Sequence, residues 1–286
     1  MKKAALWILA FLITASTALY QRMTGPTYPI GGKTTISNTQ IQYELLTTHE
    51  SGKNCPVQIE TQNPEISGTV LYKRHKTSDP WSSIPMKRQE ISLVGYLPHQ
   101  PPAGKLQYKV VLTHQGEETS LTGEKPVIIR FKGAVPIWLL IPHVIVMFMA
   151  MLFSARAGIE ALRPKSNPRK LALWTTGILF IGGFILGPLV QKFAFGALWT
   201  GFPFGYDLTD NKTLIAFIGW AIALIAGRKG NPARGWVFAA AILLLIVFLI
   251  PHSLLGSELD YSDTNLPQAV SMTSTHFVRG SSPILA

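Results

Sequence analysis

The sequence predicts a membrane protein: an N-terminal signal anchor, an all-β sandwich and then a four-helix transmembrane bundle. Three observations carry this prediction. The chain of 286 residues is 47% hydrophobic and only 14% charged. Its second half gathers apolar residues into four long runs. The stretch between the N-terminal apolar run and those four alternates apolar and polar residues with a period of two.

Lys2 and Lys3 precede the uncharged run Ala4 to Tyr20. Residues 1–22 therefore read as a signal anchor or a signal peptide, with Ser16-Thr17-Ala18 available as a small-residue cleavage site. Either way, the chain that follows is expected to be exported. Residues 30–132 hold the alternating segments Gln42 to Thr47, Gly68 to Arg74, Glu90 to Leu97, Leu106 to Leu112 and Pro126 to Phe131. Turn signals at Ser78-Asp79-Pro80, Pro101 to Gly104 and His114-Gln115-Gly116 separate them. About a hundred such residues match the size of an immunoglobulin-like module. Leu97-Pro98 followed by Leu106, Tyr108, Val110 and Leu112 resembles the corner and penultimate strand of a fibronectin type III domain, with Tyr108 as the corner tyrosine. The resemblance implies a module that binds an external protein partner, and it names no chemistry.

The apolar runs at 135–155, 171–190, 213–227 and 236–256 predict four helices in a transmembrane domain over 135–256, followed by an external tail, 257–286. Arg156, Arg163, Lys165, Arg169 and Lys170 fall in one connection and Arg228, Lys229 and Arg234 in another, whereas the loop over 191–212 holds only Lys192 and Lys212. By the positive-inside rule the first two connections are cytoplasmic. The sandwich, the 191–212 loop and the C-terminus then lie on the external or periplasmic side of a plasma (inner) membrane. Gly183 and Gly187 on one helix, and Gly219 and Ala223 on the next, have the small-residue spacing of close helix packing.

Several function classes drop out. Cys55 is the only cysteine, which excludes an internal disulfide, a CxxC pair and covalent haem attachment. The formal charge of +11 suggests nucleic acid, but no basic helix or nucleic-acid motif accompanies it, and many cations flank apolar segments. The sequence contains no nucleophile motif and no close acid/base pair, so it gives no support to an enzyme.

The loop from Phe195 to Lys212 is the most distinctive stretch. Trp199, Phe202, Phe204 and Tyr206 alternate with Gly196, Gly201, Pro203 and Gly205, and Asp207 and Asp210 follow. It reads as a shaped lid at the membrane surface or as an interfacial aromatic anchor. His143 and His252 lie in near-identical settings, Leu140-Ile141-Pro142-His143 and Leu249-Ile250-Pro251-His252, roughly 12 and 6 Å below the outer surface by helical rise. They either ligate a shared ion as neutral imidazoles or separately tie helices by bonding carbonyls freed by the adjacent prolines. His143, Met147, Ala150 and Ser154 share a helix face expected to point inward. Asp210 is expected to cap the helix that follows. Asp207 is the candidate to orient a histidine, and Lys192 and Lys212 are candidates to pair with haem propionates.

The order of outer histidine, cytoplasmic loop, aromatic outer loop, cytoplasmic loop and outer histidine resembles the haem-handling membrane proteins of cytochrome c maturation, whose tryptophan-rich loop lies between two haem-ligating histidines. Gly196-Ala197-Leu198-Trp199 resembles the opening of that loop, Asp207 through Leu214 its exit into a helix, and His143-Val144 the setting of the first histidine. The resemblance implies haem b, with copper as the alternative, held by His143 and His252 beneath Trp199, Phe202, Phe204, Tyr206 and Asp207. The competing expectation is a cofactor-free accessory or scaffold subunit whose sandwich binds a partner.

Overall fold

The computed structural model describes residues 3–228, 231–251, 258–259 and 261. An N-terminal helix, α1 (Lys3–Thr24), leads into eleven strands, and these into a helical region. That region comprises α2 (Ile137–Ala161), α3 (Arg169–Phe180), a π-helical segment (Ile181–Leu186), α4 (Gly187–Phe195), α5 (Leu208–Ala226) and α6 (Arg234–Leu249).

The strands form three sheets around one core. In the largest sheet β3 (Thr48–Glu50), β11 (Val127–Lys132), β9 (Lys105–His114), β5 (Ser67–Arg74) and β6 (Ser82–Pro85) lie in that order, and β10 (Glu117–Ser120) also pairs with β9. A second sheet joins β4 (Cys55–Glu60), β8 (Ser92–Leu97) and β7 (Lys87–Gln89), and β1 (Ile30–Ile36) pairs with β2 (Thr39–Leu45) as a hairpin. Pairing is antiparallel except between β3 and β11. Alternation is strongest in β9, where Leu106, Tyr108, Val110, Leu112 and His114 turn inward and the residues between them turn outward. Cys55, Val57 and Ile59 do the same from β4, so the two sheets bury facing sides in a common cluster. A Cβ on Gly95 of β8 would meet Val70 of β5 at 3.0 Å, so glycine sets how closely these sheets approach. Tyr108 is 1% exposed, and its hydroxyl donates to the Leu46 carbonyl at 2.8 Å. This bond ties β9 to the β2–β3 connection rather than to the turn just upstream of Tyr108.

Among the described residues, four helices are long and apolar enough to cross a membrane: Lys3–Thr24, Ile137–Ala161, the continuous helix Arg169–Phe195 and Leu208–Ala226. The last helix, α6, has 16 residues and a length of about 24 Å. It ends at Leu249, with Ile250 extended as the following Pro251 favours, and residues 252–256 of the apolar run lie outside the described residues. In contrast, α2 continues past Ser154 to Ala161, and α5 begins at Leu208, earlier than the apolar run.

Many alanines line the interior of these helices, around the fully buried Trp220, Leu179 and Leu244. Ala150, Ala157, Ala172, Ala216, Ala223 and Ala240 are buried, while Phe11, Trp138, Ile145, Trp174, Ile222 and Ile246 face outward. The small-residue positions make close contacts: a Cβ on Gly183 would press on Thr213, and one on Gly219 on Leu243. Along α1, Leu6, Ala10, Thr14 and Thr17 form the buried stripe. The threonine hydroxyls are satisfied within the helix, donating to the Ala10 and Ile13 carbonyls.

Several cations of the connections fasten helix ends. Arg156 is 5% exposed, pairs with Glu160 at 2.7 Å and lies over the Trp7 ring, joining α2 to α1. Arg169 donates to the Gly227 carbonyl and Arg234 to that of Ala161. These ties close the end of the bundle remote from the strands.

Candidate functional site

The opposite end of the bundle collects the β domain, the aromatic loop and the ends of α1 and α6. Its centre is a small polar cluster on the loop. Asp210, in the first turn of α5 and 6% exposed, accepts at Oδ2 from the Thr200 amide (2.7 Å), the Gly201 amide (3.0 Å) and Gln191 Nε2 (3.1 Å). Asn211 Oδ1 accepts from the Phe202 amide at 2.6 Å. Asp207 is the helix cap, its Oδ1 accepting from the Thr209 amide at 2.8 Å. Asp207 therefore takes the cap expected of Asp210, while Asp210 binds the loop amides. With Asp207 in the cap position, the next turn of α5 brings Asp210 beneath the loop, where backbone amides need an acceptor.

This clasp fixes the loop and directs its rings outward. Phe202, Phe204 and Tyr206 are 67%, 84% and 95% exposed. Trp199 alone folds back, stacking on Phe184 at 5.6 Å and donating from Nε1 to the Phe202 carbonyl. The three outward rings form an exposed aromatic rim. The rim has a tight backbone: the Phe202–Pro203 peptide is cis, and a Cβ on Gly205 would strike the Thr200 carbonyl oxygen.

His143 is half-buried on α2 and meets the π-helical segment. Its Nδ1 lies 3.1 Å from the Gly182 carbonyl oxygen. A carbonyl only accepts, so the bond requires Nδ1–H, and the neutral ring keeps its lone pair on Nε2. The same carbonyl accepts from the Gly187 amide across the π turn. The acceptor thus belongs to a neighbouring helix and is not one freed by Pro142. Ala150 and Ser154, further along this face, are fully buried as expected. His252 lies outside the described residues, so its relation to His143 does not enter this geometry. No group of three or more His, Cys, Asp or Glu able to hold a metal ion occurs among the described residues.

Lys212 is committed elsewhere than to a propionate. It is 4% exposed, and its ammonium donates to the Ile250 carbonyl at 2.7 Å, satisfying the frayed end of α6. Gln21 of α1 reaches the same oxygen at 3.4 Å, so three helices converge there. Lys192 is exposed.

The β domain joins this end directly. The Gly133 amide donates to the Ala194 carbonyl at 2.9 Å, and a Cβ on Gly133 would collide with the Phe193 carbonyl oxygen. Arg130 of β11, 7% exposed, places its guanidinium 3.9 Å from the Phe195 ring centroid. Burial lowers its pKa, and the negative charges of Asp207 and Glu258 oppose that shift. Sequence reasoning missed Gly133 and Arg130. The available signal was an arginine within an otherwise apolar strand, Val127 to Phe131.

A scan against protein-family models finds no match for this chain, and no curated protein matches it.

Proposed function

We propose that this chain is a multi-pass membrane protein whose helices hold an immunoglobulin-like sandwich at the outer surface of the plasma membrane, where the sandwich engages an external protein. The observation that carries this reading is the direct fastening of the β domain to one end of the bundle, through Gly133 to Ala194 and Arg130 to Phe195. A domain on a slack tether needs neither contact; one presented in a fixed orientation does.

The buried small residues and the many large apolar side chains facing outward support insertion in lipid, where the hydrophobic effect does not draw helices together and close backbone approach does. The exposed Phe202, Phe204 and Tyr206 suit the membrane–water interface and support a position for the β domain just above it. The cation-rich connections at the other end support the outward orientation. Two sheets burying their facing sides in one core support the sandwich.

Two experiments test this. Lys170→Cys should react with an impermeant thiol reagent only after permeabilisation, and Tyr206→Cys in intact cells; the reverse pattern would invert the orientation. A photocrosslinking residue at Ile91 or Tyr96, both exposed on the small-sheet side, should yield a discrete protein adduct in native membranes. Absence of an adduct from both positions would remove the partner-binding reading.

One observation favours a second reading, haem or copper handling: the His143–Gly182 bond leaves Nε2 as a neutral donor, the state in which histidine ligates a metal. An absorption spectrum after purification with haem supplied separates the two. A Soret band abolished by His143→Ala would establish the second reading, and a featureless spectrum accompanied by no copper would leave the first.

A further inference from the structure

Three residues beyond α6 in sequence, Glu258, Leu259 and Tyr261, lie against the β domain. Glu258 accepts from Lys105 Nζ at 2.6 Å on one carboxylate oxygen and from Lys76 Nζ at 2.7 Å on the other. The Leu259 amide donates to the Ala103 carbonyl at 3.2 Å. The Tyr261 hydroxyl accepts from the Lys105 amide at 2.8 Å, and its proton lies within reach of the Lys105 carbonyl (2.9 Å) and Gln100 Oε1 (3.0 Å). Arg74, held by Asp79 at 2.6 Å, lies 5.2 Å from the Tyr261 ring centroid. Every polar end of Glu258 and Tyr261 is thus read by a specific group, as in a peptide complex.

The receiving face offers more than a strap requires. Arg74, Lys76 and Lys105 line it, against Asp79 and Glu258 among the described residues, and Lys73 and Lys109 add two cations further along β5 and β9. Trp81 stands between Lys73 and Lys109, 5.5 and 5.8 Å from their ammonium groups, and remains 41% exposed. A cavity of about 570 Å³ lies alongside, lined by residues of the 74–79 turn, Lys105 and the strap. Surplus positive charge, an exposed indole and unfilled volume together fit an acidic, aromatic-bearing polypeptide.

We propose that this face is a peptide-recognition groove occupied in cis by Glu258–Tyr261, and that its external ligand is an acidic segment that sets a carboxylate three residues ahead of an aromatic ring. The inference rests on the reading of the sandwich as a partner-binding module and names the chemistry of the partner. Cis occupancy makes the groove self-limiting: an external segment binds only by displacing the strap, and its apparent affinity is reduced accordingly.

The test uses the full-length protein in detergent or nanodiscs and a fluorescent peptide carrying residues 257–264. The strap-release variant Glu258→Gln/Tyr261→Ala should bind the peptide about tenfold or more tighter than the unaltered protein. Adding Lys76→Glu and Lys105→Glu to that variant should abolish binding, with an unchanged melting profile showing that the fold persists. Raising salt should weaken binding to the release variant. Equal affinity for the unaltered and released proteins would overturn cis occupancy, and binding indifferent to the Lys76 and Lys105 reversals would overturn the groove. Neither result would touch crosslinking from Ile91 or Tyr96 on the other sheet, so failure of the groove is distinguishable from failure of the partner-binding reading.

Discussion

The guanidinium of Arg130 lies 3.9 Å from the centre of the Phe195 ring, joining the last strand of the β domain to the last turn of α4. The neighbouring Gly133–Ala194 bond is made by backbone groups, which a substitution at Phe195 leaves in place. Phe195→Ala should therefore loosen the junction without detaching the domain, at a cost of about 0.5–2 kcal/mol. Hydrogen exchange should accelerate at residues 133–136 and leave the core of β9 unchanged.

Asp210 and Asp207 should differ in effect. Asp207→Ala removes one helix cap and should cost about 1 kcal/mol. Asp210→Ala leaves the Thr200 and Gly201 amides without this acceptor, while Gln191 keeps its bond to Thr200 Oγ1, and should cost about 1–3 kcal/mol for each amide left unsatisfied. Amide exchange at Thr200 and Gly201 is the direct readout: it should rise sharply in the Asp210 variant and little in the Asp207 variant.

These acids show where the sequence was legible and where it was not. Runs of apolar residues located β5, β8 and β11, and period-two alternation located β2 and β9, which turn one face to a core. The same signal was present in Cys55, Val57 and Ile59 of β4, but the strand is short and follows a turn-like Ser51-Gly52-Lys53-Asn54. Apolar runs located the helices, since length and composition decide spanning capacity. Their ends were misplaced where tertiary contacts override composition. The α2 helix runs on because Arg156 finds Glu160 and Trp7, and α5 starts early because Asp207 caps it. Which of two acids three residues apart caps a helix depends on where the loop returns, and no local pattern encodes that. For the same reason His143 was legible as a polar group needing a partner, while Gly182, on a different helix, was not.

The strap should respond to acid in a defined window. Burial alone would raise the Glu258 pKa, but Lys105 and Lys76 hold it down to about 2 against an ordinary 4.5. A depressed carboxylate stabilises the strapped state fully above its unfolded pKa, and the contribution fades as pH falls from about 4.5 toward 2. Amide exchange at Leu259, corrected for intrinsic rates, should be unchanged between pH 7 and 5 and should rise below that window's upper edge. Glu258→Gln should remove the dependence.

Fixed presentation of the β domain is the central claim, and a distance measured in the full-length protein tests it most directly. Cys55 is fully buried, and burial pushes its thiol up to about 12, so it should stay unlabelled in the native protein and need no replacement. Spin labels at Gln115, in the β9–β10 turn, and at Tyr206, on the aromatic rim, report the domain relative to the bundle by pulsed electron paramagnetic resonance. A single narrow distance distribution in nanodiscs, broadened by Phe195→Ala combined with Glu258→Gln, is the predicted result. A broad distribution in the unaltered protein would contradict it.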